Sequence, residues 1–177
     1  EGFTEEKLAI LMDVKNHHYG RVSDYARQVG ARFETGVRPW HVPMDVALPC
    51  ATQNELNATD AAILVRNGVI AVAEGANMPT TVEAIKLFEH SGVLYAPGKA
   101  SNAGGVSTSG LEMSQNAMRL SWTREEVDAR LKEIMTGIHA ACLKHGQRPD
   151  GSVSYADGAN VAGFVKVAEA MLAQGVI

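Results

Sequence analysis

Tyr95-Ala-Pro-Gly-Lys-Ala-Ser-Asn-Ala-Gly-Gly-Val-Ser-Thr-Ser-Gly-Leu-Glu-Met113 decides how this chain is read. The apolar run Val93 to Ala96 predicts a buried strand that stops at Pro97-Gly98. Asn102, Gly104 and Gly105 follow, and a helical pattern runs from Gly105 to Leu120. A strand that ends in a Gly-rich turn and opens into a helix makes a small polar crevice. Backbone N–H groups point into it, and the positive end of the helix faces it. A carboxylate, an amide or a phosphate suits such a crevice. The pattern is not G-x-G-x-x-G, and a Gly-rich turn taken alone is weak evidence for any one ligand.

Working outward, the same grammar repeats. Asp45–Leu48 and Val69–Ala73 read as two further strands. A helix from Ala58 to Asn67, capped by Asn57 and stopped by Gly68, separates them. Thr80-x-x-Glu83 reads as a capping box for a helix to about His90, stopped by Gly92. Strand, helix, strand, helix, strand at this spacing predicts parallel strands joined by right-handed crossovers. Their C-terminal ends then share one sheet edge, where open α/β sheets bind ligands. Pro49–Asn54, Glu74–Asn77 and Pro97–Asn102 leave those ends.

Ahead of this lie two predicted helices. Thr4 caps one through about Asn16, with Leu8, Leu11 and Met12 on one face. The other runs from Val22 to Val29 and ends at Gly30. A short strand near Ala31–Glu34 and a loop over 35–43 follow. The last third is helical. Thr123-x-x-Glu126 opens a long helix with Val127, Leu131, Ile134, Ile138 and Cys142 at helical spacing, ended by Gly146. After a polar loop over 147–154, a final helix from about Asp157 to Gln174 is expected to bury Val161, Phe164, Val165, Ala168 and Leu172. The fold class is α/β: a partial Rossmann-like parallel sheet with flanking helices, followed by a long C-terminal helical arm. The division expected is 1–110 for the sheet-bearing part and 111–177 for the arm.

Composition narrows the function. A hydrophobic fraction of 46% in 177 residues builds a core. A net charge of −4 gives no basic footprint for nucleic acid. No apolar run approaches the roughly 18 residues that a membrane span needs. Two cysteines, Cys50 and Cys142, suit a reducing cytosol, and both read as buried and inert. His17 with His18, and His139 with Cys142 and His145, form no tetrahedral metal set. Ser107, Thr108 and Ser109 lack the G-x-S-x-G turn of a nucleophile.

The motif Ala96-Pro-Gly-Lys…Asn102-Ala-Gly-Gly-Val, with Ser109 and Leu111-Glu-Met113, closely resembles hexameric glutamate dehydrogenases. Leu48-Pro-Cys-Ala-Thr-Gln-Asn-Glu-Leu56, Ala73-Glu-Gly-Ala-Asn-Met-Pro-Thr-Thr81 and Gly158-Ala-Asn-Val-Ala-Gly-Phe164 match the same family in order. The resemblance runs from about Phe3 to Ile177 and is strongest to the NADP-dependent branch. It implies a C-terminal segment of a longer enzyme, without the N-terminal domain and the G-x-G-x-x-G turn, and hence no catalytic residue in this chain. It further implies a cytoplasmic homo-hexamer that interconverts L-glutamate with 2-oxoglutarate and ammonia. The cofactor implied is NADP, with NAD also possible.

The resemblance places Asn77 and Asn102 on the nicotinamide side of the cofactor, and Ala51, Thr52 and Gln53 beside its adenosine and ribose. It places Val106 and Ser109 in the substrate pocket, Ser109 on the side-chain carboxylate. Lys15 and Arg21, in Val14-Lys-Asn-His-His-Tyr-Gly-Arg-Val22, match positions that reach the ribose 2′-phosphate, while a position often basic in relatives is His18. It also implies that the last helix packs on the N-terminal domain. A related amino-acid dehydrogenase, or a nucleotide-binding or assembly segment without its own turnover, are the alternatives. Ser109 favours glutamate over apolar amino acids, because a buried unpaired hydroxyl is costly beside an apolar side chain.

Overall fold

The computed structural model describes residues 2–175. The last residues of the arm expected over 111–177 therefore lie outside the described residues. The chain divides into two compact units, one reaching to Pro39 and the other starting at Trp40.

The first unit holds α1 (Glu5–Asn16) and α2 (Val22–Val29). Thr4 caps α1, its hydroxyl accepting from the Lys7 N–H at 3.2 Å. Gly30, at φ +67°, closes α2 in the left-handed conformation that glycine adopts without a Cβ penalty. Val14, Tyr25 and Ala26 are buried, and Phe3 stacks on Tyr25 at 5.9 Å. Leu8 and Met12, expected to share an apolar face, are exposed. The strand expected at Ala31–Glu34 does not form. A strand exists through its ladder, and no described segment pairs with this one.

The second unit carries β1 (Val46–Ala47), α3 (Ala58–Arg66), β2 (Ala71–Ala73), α4 (Val82–His90) and β3 (Leu94–Ala96). All strand pairs are parallel, in the order β1-β2-β3, with Val46 opposite Ala71 and Val72 opposite Tyr95. The α/β reading therefore holds. Leu56, Ala61, Leu64, Val72, Ala84, Phe88 and Tyr95 form the core between the sheet and the paired helices α3 and α4. Each of Leu56, Leu64 and Phe88 is fully buried; such side chains contribute about 1.5–3 kcal/mol each.

Several boundaries differ from expectation, the strands each being shorter than read. Thr81, not Thr80, caps α4, accepting from the Ala84 N–H. Thr80 is held one step earlier, in a parallel bridge with Leu56, so its backbone is unavailable to start a helix. The helix expected from Gly105 begins sooner. One turn, α5 (Gly98–Ser101), breaks at Asn102, and α6 (Ala103–Met118) follows. α6 ends before Leu120 because Arg119 turns left-handed at φ +56°.

The arm is α7 (Arg124–Gly146) and α8 (Tyr155–Gln174). Thr123 and Glu126 form the expected capping box. Val127, Leu131, Ile134 and Ile138 are half-buried, and Cys142 is buried, with its thiol pushed up by burial. The two helices meet through glycines. A Cβ on Gly158 would sit 2.2 Å from the Cys142 carbonyl oxygen, and one on Gly146 equally close to that of Ser154. The apolar face of α8 departs from expectation. Phe164 is 71% and Leu172 79% exposed, Val161 is exposed, and only Val165 and Ala168 are half-buried. Among the described residues nothing covers that face. No described helix is long and apolar enough to cross a membrane.

Candidate functional site at the strand ends

The parallel register brings the loops after β1, β2 and β3 to one edge and laces them together. Gly75 N–H donates to the Pro49 carbonyl at 2.9 Å, Asn54 N–H to that of Met78, and Leu56 N–H to that of Pro79. Asn54 and Met78 both sit at positive φ, which turns the loops sharply enough to run side by side. Gly75 is required there, since a Cβ would lie 2.4 Å from the Cys50 Sγ. Cys50 is exposed at this edge, not buried as its sequence neighbours suggest.

Asn77 and Asn102, 25 residues apart, meet: the Asn102 Nδ2 donates to the Asn77 Oδ1 at 3.1 Å. The break between α5 and α6 makes this possible. Asn102 ends one helix and starts the next at φ −92°, ψ 7°, with its side chain serving neither as a cap. The pair borders two hollows. One, of about 360 Å³, is lined by Cys50, Ala51, Gln53, Gly75, Asn77 and Asn102. The other, of about 1080 Å³, is lined by Asn77, Asn102, Val106, Lys99, Tyr95 and Asn160 among others. Both asparagines belong to both hollows. Thr52 lies in the same loop as Ala51 and Gln53 without lining either. The Ala51 N–H donates to the Glu55 carboxylate at 2.8 Å, which fixes that loop's entry.

Val106 and Ser109 are exposed on α6. Val106 lines the larger hollow and Ser109 does not. The spacing 102, 106, 109 nevertheless puts Asn102, Val106 and Ser109 on one helix face. The Thr108 hydroxyl turns away, donating to the Gly104 carbonyl at 2.9 Å. Lys15 and Arg21 belong to the first unit and are exposed. Lys15 Nζ donates to the Gly20 carbonyl at 3.3 Å, and the Arg21 N–H to the Asp24 carboxylate at 2.8 Å. His17 and His18 both contact the Asp13 carboxylate. His139 stacks on Tyr155 at 5.7 Å. No group of three or more metal-ligating side chains occurs among the described residues.

Sequence reasoning missed Glu74, Tyr95, Lys99 and Asn160. Glu74 is the first residue beyond β2, and its carboxylate is buried at 4% exposure. It accepts from the Tyr95 hydroxyl at 2.7 Å, the Gly98 N–H at 2.6 Å and the Thr80 N–H at 3.3 Å. Burial, and then the Glu74 carboxylate, raise the Tyr95 hydroxyl far above the ordinary tyrosine range. Lys99 Nζ donates to the Asn160 Oδ1 of α8 at 2.5 Å, tying the arm to α5. An acidic residue in a strand-end loop looks solvated on paper, and only the register of β2 against β3 shows it turned inward.

Comparison with known proteins finds relatives along nearly the whole chain. The chain is 64% identical over 176 residues to the NADP-specific glutamate dehydrogenase of Salmonella typhi, covering 99% of this chain and 39% of that protein. It is 58% identical over 176 residues to the NAD(P)-specific glutamate dehydrogenase of Xylanibacter ruminicola, covering 99% of this chain and 40% of that one. A crystal structure of Plasmodium falciparum glutamate dehydrogenase superposes with a TM-score of 0.92 at 47% identity, covering 99% of this chain and 38% of that one. The chain thus spans well under half the length of these relatives. The family model for glutamate/leucine/phenylalanine/valine dehydrogenases matches residues 1–175, and the chain belongs to that family.

Proposed function

We propose that the protein carrying this chain interconverts L-glutamate with 2-oxoglutarate and ammonia using NADP, and that this segment binds the dinucleotide and one edge of the substrate. The observation that carries the reading is the Asn77–Asn102 amide pair at the border of two hollows on the C-terminal edge of the sheet. When bound, the dinucleotide supplies the hydride chemistry. Asn77 and Asn102 hold the nicotinamide end in one rotation with neutral amides, which bind it without burying a charge of their own. Ala51, Thr52 and Gln53 flank the adenosine and ribose. The donor set at this edge, side-chain amides and turn backbone, fits such a ligand.

Val106 supplies apolar contact to the substrate, and Ser109, one turn further on the same face, donates to its side-chain carboxylate. Lys15 and Arg21 answer the 2′-phosphate, which favours NADP, and NAD is the lesser cofactor. No proton-transfer role is assigned to any residue of this chain. Residues 1–110 act as the dinucleotide side and 111–177 as an arm whose exposed α8 face packs on an N-terminal domain in a cytoplasmic homo-hexamer. The test is a substrate panel on the full-length protein: glutamate, leucine, valine and phenylalanine, each with NADP and NAD. Reduction of NADP by glutamate well above the other three is expected. Preference for an apolar amino acid would move the reading to another member of the family.

A further inference from the structure

Glu74 presents a problem of cost. A buried carboxylate is unfavourable unless its lone pairs are filled. Here the three donors, Tyr95 Oη, Gly98 N and Thr80 N, are all neutral. Holding β2 beside β3 does not need a carboxylate, because the ladder already does so, and the Glu74 N–H donates to the Ala96 carbonyl at 3.1 Å. The side chain therefore does something the ladder does not.

Its partners show what that is. The Gly98 N–H opens α5, and Ser101 closes it. The Ser101 hydroxyl lies 2.6 Å from the Glu74 carbonyl oxygen and donates to it. One residue thus grips the single turn of α5 at both ends, by its side chain at Gly98 and by its backbone at Ser101. The residue after Ser101 is Asn102. On the other side, Glu74 grips Thr80 N–H, the far end of the loop that carries Asn77. Gly98 has no slack in this arrangement. A Cβ there would lie 2.8 Å from the Ala76 carbonyl oxygen and 3.1 Å from the Glu74 Oε2. The two segments bearing the amide pair are both referenced to one carboxylate.

We propose that Glu74 is a positioning residue that sets the geometry of the Asn77–Asn102 pair, and through it the orientation of the nicotinamide end of the dinucleotide. This rests on the reading of the edge as a dinucleotide site. Glutamine at 74 keeps the length and one acceptor. The Tyr95 hydroxyl can turn and accept, but the amide NH₂ must still face either the Gly98 N–H or the Thr80 N–H, and a donor against a donor pushes α5 or the 74–80 loop outward.

The experiment compares Glu74→Gln, Asn102→Ala and the double variant in the full-length protein, per folded molecule. NADPH affinity is measured by titration and hydride transfer by single turnover with glutamate. For Glu74→Gln, hydride transfer is expected to fall about tenfold or more while affinity for NADPH stays within about threefold, as a misplaced reactant requires. The double variant is expected to be no slower than Asn102→Ala alone, because both changes act on one element. Ser101→Ala cuts the other grip on α5 with less risk to folding. It is expected to slow hydride transfer by about threefold and to show the same non-additivity. Should Glu74→Gln fail to fold, Glu74→Asp, which keeps the acceptors but shortens their reach, is put through the same two measurements and decides.

Hydride transfer at the native rate in the folded variants, or losses that multiply independently with Asn102→Ala, overturns the proposal while leaving the proposed function standing. A native protein that neither binds NADPH nor oxidises glutamate overturns both.

Discussion

The proposed tasks of Ser109, on α6, and Asn102, just ahead of it, differ, and replacing each by alanine separates them. Ser109 is exposed and makes no bond that the fold needs. Ser109→Ala in the full-length protein is therefore expected to leave thermal stability and NADP affinity unchanged. It is expected to lower kcat/KM for glutamate by about 1–3 kcal/mol in transition-state terms, the scale of a hydrogen bond to a charged partner. Unaltered glutamate kinetics would reduce Ser109 to a helix residue. Asn102→Ala removes the bond to Asn77 and should slow single-turnover hydride transfer more than it weakens NADP binding. On the proposed reading, the loop after β1 holds the remainder of the dinucleotide. Melting temperature measured on the same preparation separates this from damage to the turn; marked destabilisation with normal hydride transfer per folded molecule would defeat the assignment.

At the scale of elements, two glycines set the closest approach between α7 and α8. Gly158→Ala pushes a methyl group into the Cys142 carbonyl, which is backbone and cannot rotate away. Denaturant unfolding of this variant is expected to show a loss of about 1–3 kcal/mol, the range for overpacking. An unchanged midpoint would mean that the helices slide freely past each other. Element boundaries also show what was legible in the sequence. Asn57, Thr123, Gly30, Gly68 and Gly92 announced helix ends correctly because caps are local chemistry. Thr80 misled because two threonines stand side by side, and the choice between them is made by Leu56, 24 positions away. The strand expected at 31–34 failed for the same kind of reason, since a strand depends on a neighbour that its own residues do not encode. Within the site, Asn77 and Asn102 stood out as polar residues leaving predicted strands. Glu74 did not, because its inward turn is a property of the register.

For the whole molecule, the exposed Phe164, Leu172 and Met171 of α8 form a face that water solvates poorly. The chain assayed by itself is expected to give no measurable glutamate-dependent NADP reduction. It matches 39% of the length of the Salmonella typhi relative, so most of that relative's chain has no counterpart in it. Turnover at an ordinary enzymatic rate from the 177 residues alone would overturn that view. The sheet carries a related consequence. Its strands are two and three residues long, and β1 and β3 are its margins among the described residues. Only β2 has neighbours on both sides, and its exit is pinned twice, Glu74 N–H to Ala96 and Gly75 N–H to Pro49. Amide deuteration would therefore proceed inward from both margins, and the protons of Glu74 and Gly75 would be among the last to leave. The slowest-breathing part of the sheet would then be the edge from which the loops of the candidate site depart, so that moving those loops does not require loosening their foundation.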